Sequence, residues 1–221
     1  KIIGESYFNL ENYKEAVLYL QSYKGKKGKW NNTDYYQLGY AYYKQLSYQM
    51  AINEFNKIID GKNAVAQNAF YHLADSYMQL DQKQQALNAF KNASEMDFSL
   101  EMKEDAWLNY AKLSYQIGNS YQSAPEVLLS FIEFYPNNEN NTELKDLLID
   151  SYITSKDYQS ALDLLENNKS FENKLAYQKV TFFRGLELYS EGNYRDGIEL
   201  FNKSLSEPRD AIFTARATFW K

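Results

Sequence analysis

Few residues in this 221-residue sequence have types and spacings that could perform chemistry. His72 is the only histidine, and Glu101, Glu104 and Asp105 form a short carboxylate cluster. Catalysis needs an acid, a base or a nucleophile that converge on one point, and the HExxH, GxxxxGKS/T and GxSxG motifs are all absent. The cluster is explained by a helix start, because the positive end of the helix dipole attracts carboxylates. The sequence therefore predicts a non-enzymatic protein with no catalytic residue, cofactor or metal.

Composition narrows the class of protein further. The chain is 44% hydrophobic and 24% charged, its mean hydropathy is -0.64, and no apolar run is long enough to span a bilayer. The formal net charge of -5 disfavours a nucleic-acid partner, since a protein that binds phosphate backbones usually carries a basic stripe. The absence of cysteine excludes disulfides and thiolate metal sites, and it suits an oxidising or a reducing compartment.

The elements that position the remaining side chains come from a repeated pattern. Within residues 34–60, a small residue, a tyrosine, an alanine and a phenylalanine stand at Gly39, Tyr42, Ala51 and Phe55. The same pattern recurs at Gly4, Tyr7, Ala16 and Leu20; Ala74, Tyr77, Ala86 and Phe90; Ala111, Ser114, Ala124 and Leu128; Ile149, Tyr152, Ala161 and Leu165; and Gly185, Leu188, Gly197 and Phe201. The first steps are 35 residues long, later steps are 36 to 38, and Ala217 with Trp220 forms a final half-copy.

A repeat of this length suits two antiparallel helices, neither of which can bury its apolar face alone. The small residue of the first helix lets the second helix approach, and the tyrosine fills the space beside it. Ala51 and Phe55 are four residues apart, so they share one face of the second helix. Asn12, Ser47 and Asp157 each precede a tyrosine and are expected to cap a second helix.

This pattern resembles the tetratricopeptide repeat family. The second repeat carries the matching residues Tyr35, Leu38, Gly39, Tyr42, Ala51 and Phe55, and the fourth carries Trp107, Ala111 and Pro136. Departures are Ile149, Gly197 and one extra residue between Ser120 and Ala124. The resemblance implies an all-α, right-handed superhelical solenoid of antiparallel helix pairs with about thirteen helices. We expect a single solenoid over residues 1–221 with units near 1–28, 29–63, 64–100, 101–139, 140–173, 174–208 and, in part, 209–221.

In this family the first helices line the concave groove of the superhelix, so the resemblance implies that a partner binds there. The groove positions carry Tyr36, Tyr40 and Tyr43; Tyr71, Asp75 and Met78; and Leu108, Lys112 and Tyr115, with His72 beside them. Tyrosine combines a large contact area with a hydrogen-bonding tip, which suits recognition of a protein or peptide. The alternative is that these rings only pack between adjacent first helices. A carboxylate clamp is not supported, because only Lys112 and Asn109 could contribute to one.

The expected function is a protein-protein interaction scaffold within a larger assembly. The chain resembles long bacterial repeat arrays of the cell envelope, which implies a periplasmic or outer-membrane-associated location, with the cytoplasm as the alternative. A second interpretation is a regulatory, ligand-sensing array attached to a signalling enzyme, since both chain ends fall inside first helices and a longer protein is expected. The negative net charge of the chain argues against a helical-repeat protein that binds RNA.

The basic link Lys24–Lys29 is either a solvated loop or a contact for an acidic partner or lipid headgroups.

Overall fold

The computed structural model describes all 221 residues, and it is all-α. Its thirteen α-helices are α1 (Ile2–Asn9), α2 (Tyr13–Gln21), α3 (Asn32–Lys44), α4 (Tyr48–Phe55), α5 (Ala64–Gln79), α6 (Lys83–Ser94), α7 (Leu100–Ile117), α8 (Ala124–Phe134), α9 (Asn141–Thr154), α10 (Tyr158–Asn167), α11 (Lys174–Ser190), α12 (Tyr194–Ser206) and α13 (Ala211–Trp220). Odd-numbered helices are the first helices of repeats and even-numbered helices are the second. The predicted class and number of helices are confirmed.

The helices form two compact units, Lys1–Ser123 and Ala124–Lys221. The boundary between the units falls inside the fourth repeat, in the segment where the sequence has one extra residue. That the whole chain is a single solenoid stays a prediction. None of the thirteen helices combines the length and the apolar character that crossing a membrane requires.

Glycine allows the two helices of a repeat to approach closely. A Cβ added to Gly39 would lie 2.8 Å from Cε1 of Phe55, and a Cβ added to Gly185 would lie 2.8 Å from Cε1 of Phe201. Both phenylalanine rings are fully buried, so neither can move aside easily. The predicted pairing of a small residue with an aromatic ring therefore sets the distance between the helices in these two repeats.

The turn between the two helices of a repeat has the same construction in five repeats. One residue adopts the left-handed conformation, with φ between 54° and 87°, at Glu11, Leu46, Asp81, Lys156 and Gly192. The N–H of the next residue then donates to the carbonyl five residues earlier, as from Ser47 to Tyr42 at 3.0 Å. Side-chain caps are less regular than predicted, because Asn12 and Asp157 cap their helices whereas Ser47 forms no such hydrogen bond.

In the first unit the first helices form a closely packed layer. The helix α3 contacts α1 and α5, and α5 contacts α7; among these contacts the one between α3 and α5 is the most extensive. Gln67, fully buried near the start of α5, strengthens this layer. Its Nε2 donates to the carbonyl of Met96 at 2.8 Å, and its Oε1 accepts from the N–H of Ser99, the N-cap residue of α7, at 2.7 Å. The exposed faces of α3, α5 and α7 consequently lie side by side.

The second unit has two clusters of buried apolar residues. One contains Ile149, Ala161, Leu162, Val180 and Leu200, and the other contains Phe182, Phe201 and Ala217. Gln178 of α11 has the same role as Gln67 in the first unit. Its Oε1 accepts from the N–H groups of Arg209 at 2.9 Å and Asp210 at 2.8 Å, directly ahead of α13. A buried glutamine thus fastens a first helix to the next one in both units.

Candidate functional site

The nine residues predicted to bind a partner lie on three neighbouring first helices of the first unit. Tyr36, Tyr40 and Tyr43 are on α3, Tyr71, His72 and Asp75 are on α5, and Leu108, Lys112 and Tyr115 are on α7. All nine side chains are partly buried. Each therefore contacts the protein on one side and solvent on the other.

His72 is the centre of an aromatic cluster that joins α3 to α5. Its ring centroid lies 4.9 Å from that of Tyr40, 5.1 Å from that of Tyr43 and 5.4 Å from that of Tyr71. Tyr36 follows at 6.1 Å. Burial lowers the pKa of His72 from 6.5 to about 4, although the carboxylate of Asp75 opposes the shift. The imidazole is therefore neutral at physiological pH and acts as one more ring in the cluster.

The contacts of the four tyrosines support packing between adjacent first helices, the alternative to partner binding. The rings are nevertheless not fully covered, so the same side chains that join the helices also form part of the surface. Aromatic rings that are held in place on one side lose little entropy when a partner contacts the other side. Packing and binding are compatible uses of these residues.

Two tyrosine–aspartate hydrogen bonds connect the three helices in series. The hydroxyl of Tyr43 on α3 donates to Oδ2 of Asp75 on α5, and the hydroxyl of Tyr71 on α5 donates to Oδ2 of Asp105 on α7. Burial, together with these hydrogen bonds, raises the pKa of both tyrosines. Neither aspartate forms an ion pair with a lysine or arginine. Each of these two partly buried carboxylates thus accepts a hydrogen bond from a tyrosine of the neighbouring helix and forms no ion pair within the protein.

The aromatic cluster extends beyond the predicted residues toward α1. The ring of Tyr40 lies 5.7 Å from that of Phe8 and 5.9 Å from that of Tyr13. The ammonium group of Lys44 lies 5.8 Å from the ring centroid of Tyr40 and 5.9 Å from that of Tyr13. A tyrosine recurs at the start of second helices, and this pattern in the sequence indicates Tyr13. No pattern in the sequence indicates Phe8.

Asp105 belongs to the same surface, although its position in the sequence indicates only a carboxylate near a helix start. It lies in the second turn of α7 and accepts a hydrogen bond from the hydroxyl of Tyr71. Leu108, Lys112 and Tyr115 follow it at three, seven and ten positions, so all four share one face of α7. This face continues the row of side chains from α3 and α5.

Two small pockets lie elsewhere, in the second unit, and none of the nine predicted residues lines them. One of about 180 Å³ is bordered by Tyr177 and by the ion pair between Lys174 and Glu207, whose charged atoms are 2.7 Å apart. The other, of about 280 Å³, is bordered by Lys145, whose Nζ donates to the carbonyl of Ser170 at 2.9 Å. No group of three histidine or carboxylate side chains is arranged to hold a metal ion.

Part of the chain matches a known repeat family. Residues 71–139 match a family model described as Tetratricopeptide repeat. No curated protein matches the chain. The C-terminal part of a TPR repeat-containing protein from Cytophaga hutchinsonii is similar, with 17% identity over 91% of this chain and 76% of that chain and a TM-score of 0.48.

Two further solved structures are similar at comparable levels. A tetratricopeptide repeat protein from Parabacteroides merdae has 19% identity over 98% of this chain and 81% of that chain, with a TM-score of 0.43. YrrB, described as a TPR protein with an unusual peptide-binding site, has 14% identity over 86% of this chain and 92% of that chain, with a TM-score of 0.42.

Proposed function

We propose that this chain holds a peptide or protein segment of a partner along α3, α5 and α7, within a larger assembly; the match of residues 71–139 to the tetratricopeptide repeat model supports a scaffold of this kind. Repeats of this kind generally form interaction scaffolds and not enzymes. The observation that carries the proposal is the continuous row of partly buried side chains on these three helices, from Tyr36 to Tyr115. Rings and carboxylates that are already positioned reduce the entropy lost on binding.

The hydrogen-bonding state of this row indicates the chemistry of the partner. The hydroxyl protons of Tyr43 and Tyr71 are already donated to Asp75 and Asp105. What these four groups can still offer are oxygen lone pairs and ring faces. A segment that brings donors, above all lysine or arginine side chains, can pair with the carboxylates and lie over the rings. We therefore expect a basic, donor-rich segment.

A displayed library of random dodecapeptides tests the proposal. Wild-type protein should enrich peptides with lysine or arginine next to an apolar residue. The double variant Asp75→Asn with Asp105→Asn retains an oxygen acceptor for each tyrosine but removes both charges. Because a hydrogen bond to a charged group contributes about 1.5–3 kcal/mol, the double variant should bind the enriched peptides roughly tenfold or more weakly.

The matched control changes two exposed carboxylates of the same unit that lie outside the row. Asp60→Asn with Asp81→Asn alters the net charge equally, so it should leave peptide affinity unchanged. Circular dichroism of all variants checks that the helices are intact. Equal affinity of wild type and the Asp75/Asp105 variant, or an equal loss in the control, would contradict binding along this row.

We propose that this scaffold belongs to an assembly of the bacterial cell envelope, and the sequence resemblance alone supports this location. Affinity capture from native cells, with and without detergent-solubilised membranes, distinguishes an envelope assembly from a regulatory array. Co-purification of envelope proteins would support the proposal. Recovery of a linked kinase or of cytoplasmic partners would favour the regulatory array instead.

A further inference from the structure

The link between the first two repeats is a compact basic turn, residues 24–29, with a defined conformation. Lys26 and Lys29 form an isolated antiparallel bridge, and the N–H of Lys29 donates to the carbonyl of Lys26 at 3.2 Å. The two central residues, Lys27 and Gly28, have φ angles of 53° and 77°. Positive φ at both positions is the geometry of a tight two-residue hairpin turn.

The base of the basic turn is closed by aromatic residues. The indole Nε1 of Trp30 donates to the carbonyl of Tyr23 at 2.9 Å, and the two ring centroids are 6.1 Å apart. Gly25 has a φ of 82°, and a Cβ there would lie 2.4 Å from the carbonyl carbon of Lys29. The chain crosses itself too closely at this point for any other residue. The loop therefore has a defined conformation with an aromatic contact at its base.

Four lysines project from this turn without an opposing charge. Lys24, Lys26, Lys27 and Lys29 are all exposed, and none forms an ion pair or a side-chain hydrogen bond. No aspartate or glutamate occurs between Glu15 and Asp34. Asp34 itself is buried and paired with Lys1, 2.5 Å away.

The fold does not require lysine at these positions. Lys27 occupies a left-handed conformation that glycine or asparagine adopts more readily. Four like charges on six residues also repel one another, in a chain whose net charge is -5. What the four side chains provide is a concentration of positive charge on one short, exposed turn.

We propose that the basic turn docks on the surface of an anionic phospholipid membrane. A carboxylate or phosphate that is recognised by geometry is usually held by the planar fork of arginine, whereas these four charges are all lysines on flexible stems. Flexible point charges suit a surface whose anions move laterally and have no fixed arrangement. Each lysine near such a surface increases binding by a factor of about five, so four together can hold a protein reversibly.

Flotation with phospholipid vesicles tests the proposal on the full chain. Wild type should bind vesicles that contain one quarter phosphatidylglycerol in phosphatidylcholine, and should not bind pure phosphatidylcholine. High salt should release it, since screening weakens attraction between exposed charges. Replacing Lys24, Lys26, Lys27 and Lys29 with glutamine should lower the bound fraction roughly tenfold or more.

A control of equal net charge replaces four exposed lysines outside the turn, Lys14, Lys156, Lys169 and Lys221, with glutamine. This control should bind the anionic vesicles like wild type, and thermal melting checks that both variants are folded. Equal loss in the control, or unchanged binding of the basic-turn variant, would overturn the proposal. The proposal would also be overturned if wild type failed to bind vesicles but bound a polyglutamate peptide or inorganic polyphosphate. The partner would then be an acidic protein or a free anion.

Discussion

At the scale of single residues, His72 is a titratable side chain that packs among aromatic rings. It lies between α3 and α5 among tyrosine rings, and its Nδ1 is buried with no hydrogen-bond partner within the protein. A neutral imidazole tolerates this position because it packs like an aromatic ring. A protonated imidazole would need solvent or an acceptor; the carboxylate of Asp75 favours its charge, whereas burial and Lys44 oppose it.

The pKa of His72 predicts how stability depends on pH. The unfolded chain binds a proton below about pH 6.5, whereas the folded protein binds it only below about pH 4. Since the unfolded state then holds more protons, the free energy of unfolding must fall as the pH falls from 6.5 to 4. Urea unfolding at neutral and mildly acidic pH measures this loss for wild type and for His72→Gln.

The His72→Gln variant has no titrating group at this position, so its unfolding midpoint should decline less on acidification than that of wild type. Carboxylates contribute equally to both proteins, and the difference between them isolates His72. An identical decline in both proteins would show that the imidazole is not held neutral.

Gln67 and Gln178 are residues whose importance only the structure reveals. Each stands seven positions before the small residue of its repeat and satisfies backbone groups ahead of the next first helix. Both are almost completely buried. A glutamine in a helical pattern gives no sign of burial, because its partners lie about thirty residues away in the chain.

At the scale of elements, the turn between paired helices is the most regular feature of the repeats. Its left-handed residue is a glutamate, leucine, aspartate, lysine or glycine, so the conformation does not depend on a particular side chain. Leucine is the least suited, because its Cβ crowds the backbone when φ is positive. Leu46 has a φ of 61° and is 71% exposed, so it gains little from burial.

Leu46→Gly should therefore stabilise the protein, by about 0.5–1 kcal/mol after the larger entropy of unfolded glycine is subtracted. Gly192, at the equivalent turn with a φ of 87°, provides the reciprocal test. Gly192→Leu should destabilise the protein by a similar amount. Urea denaturation curves measure both changes, and effects of the same sign would refute the strain attributed to leucine in the left-handed conformation.

At the scale of the whole molecule, each repeat has contacts only with its neighbours, so stability should be local. Gly39 lies in the first unit and Gly185 in the second, and both have the same close contact with a buried phenylalanine. The same substitution, glycine to alanine, can therefore be made at an equivalent contact in each of the two units.

Gly39→Ala should accelerate amide hydrogen exchange in α3 and α4 while α11 and α12 keep their protection. Gly185→Ala should have the opposite distribution. The crowding costs about 1–3 kcal/mol, which exceeds the gain of roughly 1 kcal/mol in helix propensity. Hydrogen exchange followed by mass spectrometry resolves the two regions. Uniform acceleration over all helices would indicate one cooperative unit and contradict local stability.

The candidate site could be predicted in part from the sequence. The repeat register placed Tyr36, Tyr40 and Tyr43 on one helix and Asp75 on the next, because the side chains of a helix recur every three to four residues. The register could not show that Tyr43 bonds Asp75, since a hydrogen bond depends on how far one helix is shifted along its neighbour. Whether these groups bind a partner stays a prediction.

The amino-acid sequence by itself determined the helices, their pairing and the small residues where paired helices meet, because these follow from local propensity and from a spacing of 35 to 38 residues. Only the tertiary structure decided which side chains share a contact: His72 among its tyrosines, Asp105 with Tyr71, and Gln67 with Ser99. The physical reason is that periodicity specifies the face of a helix, whereas contact between helices depends on their shift and rotation, which all the packed side chains determine together.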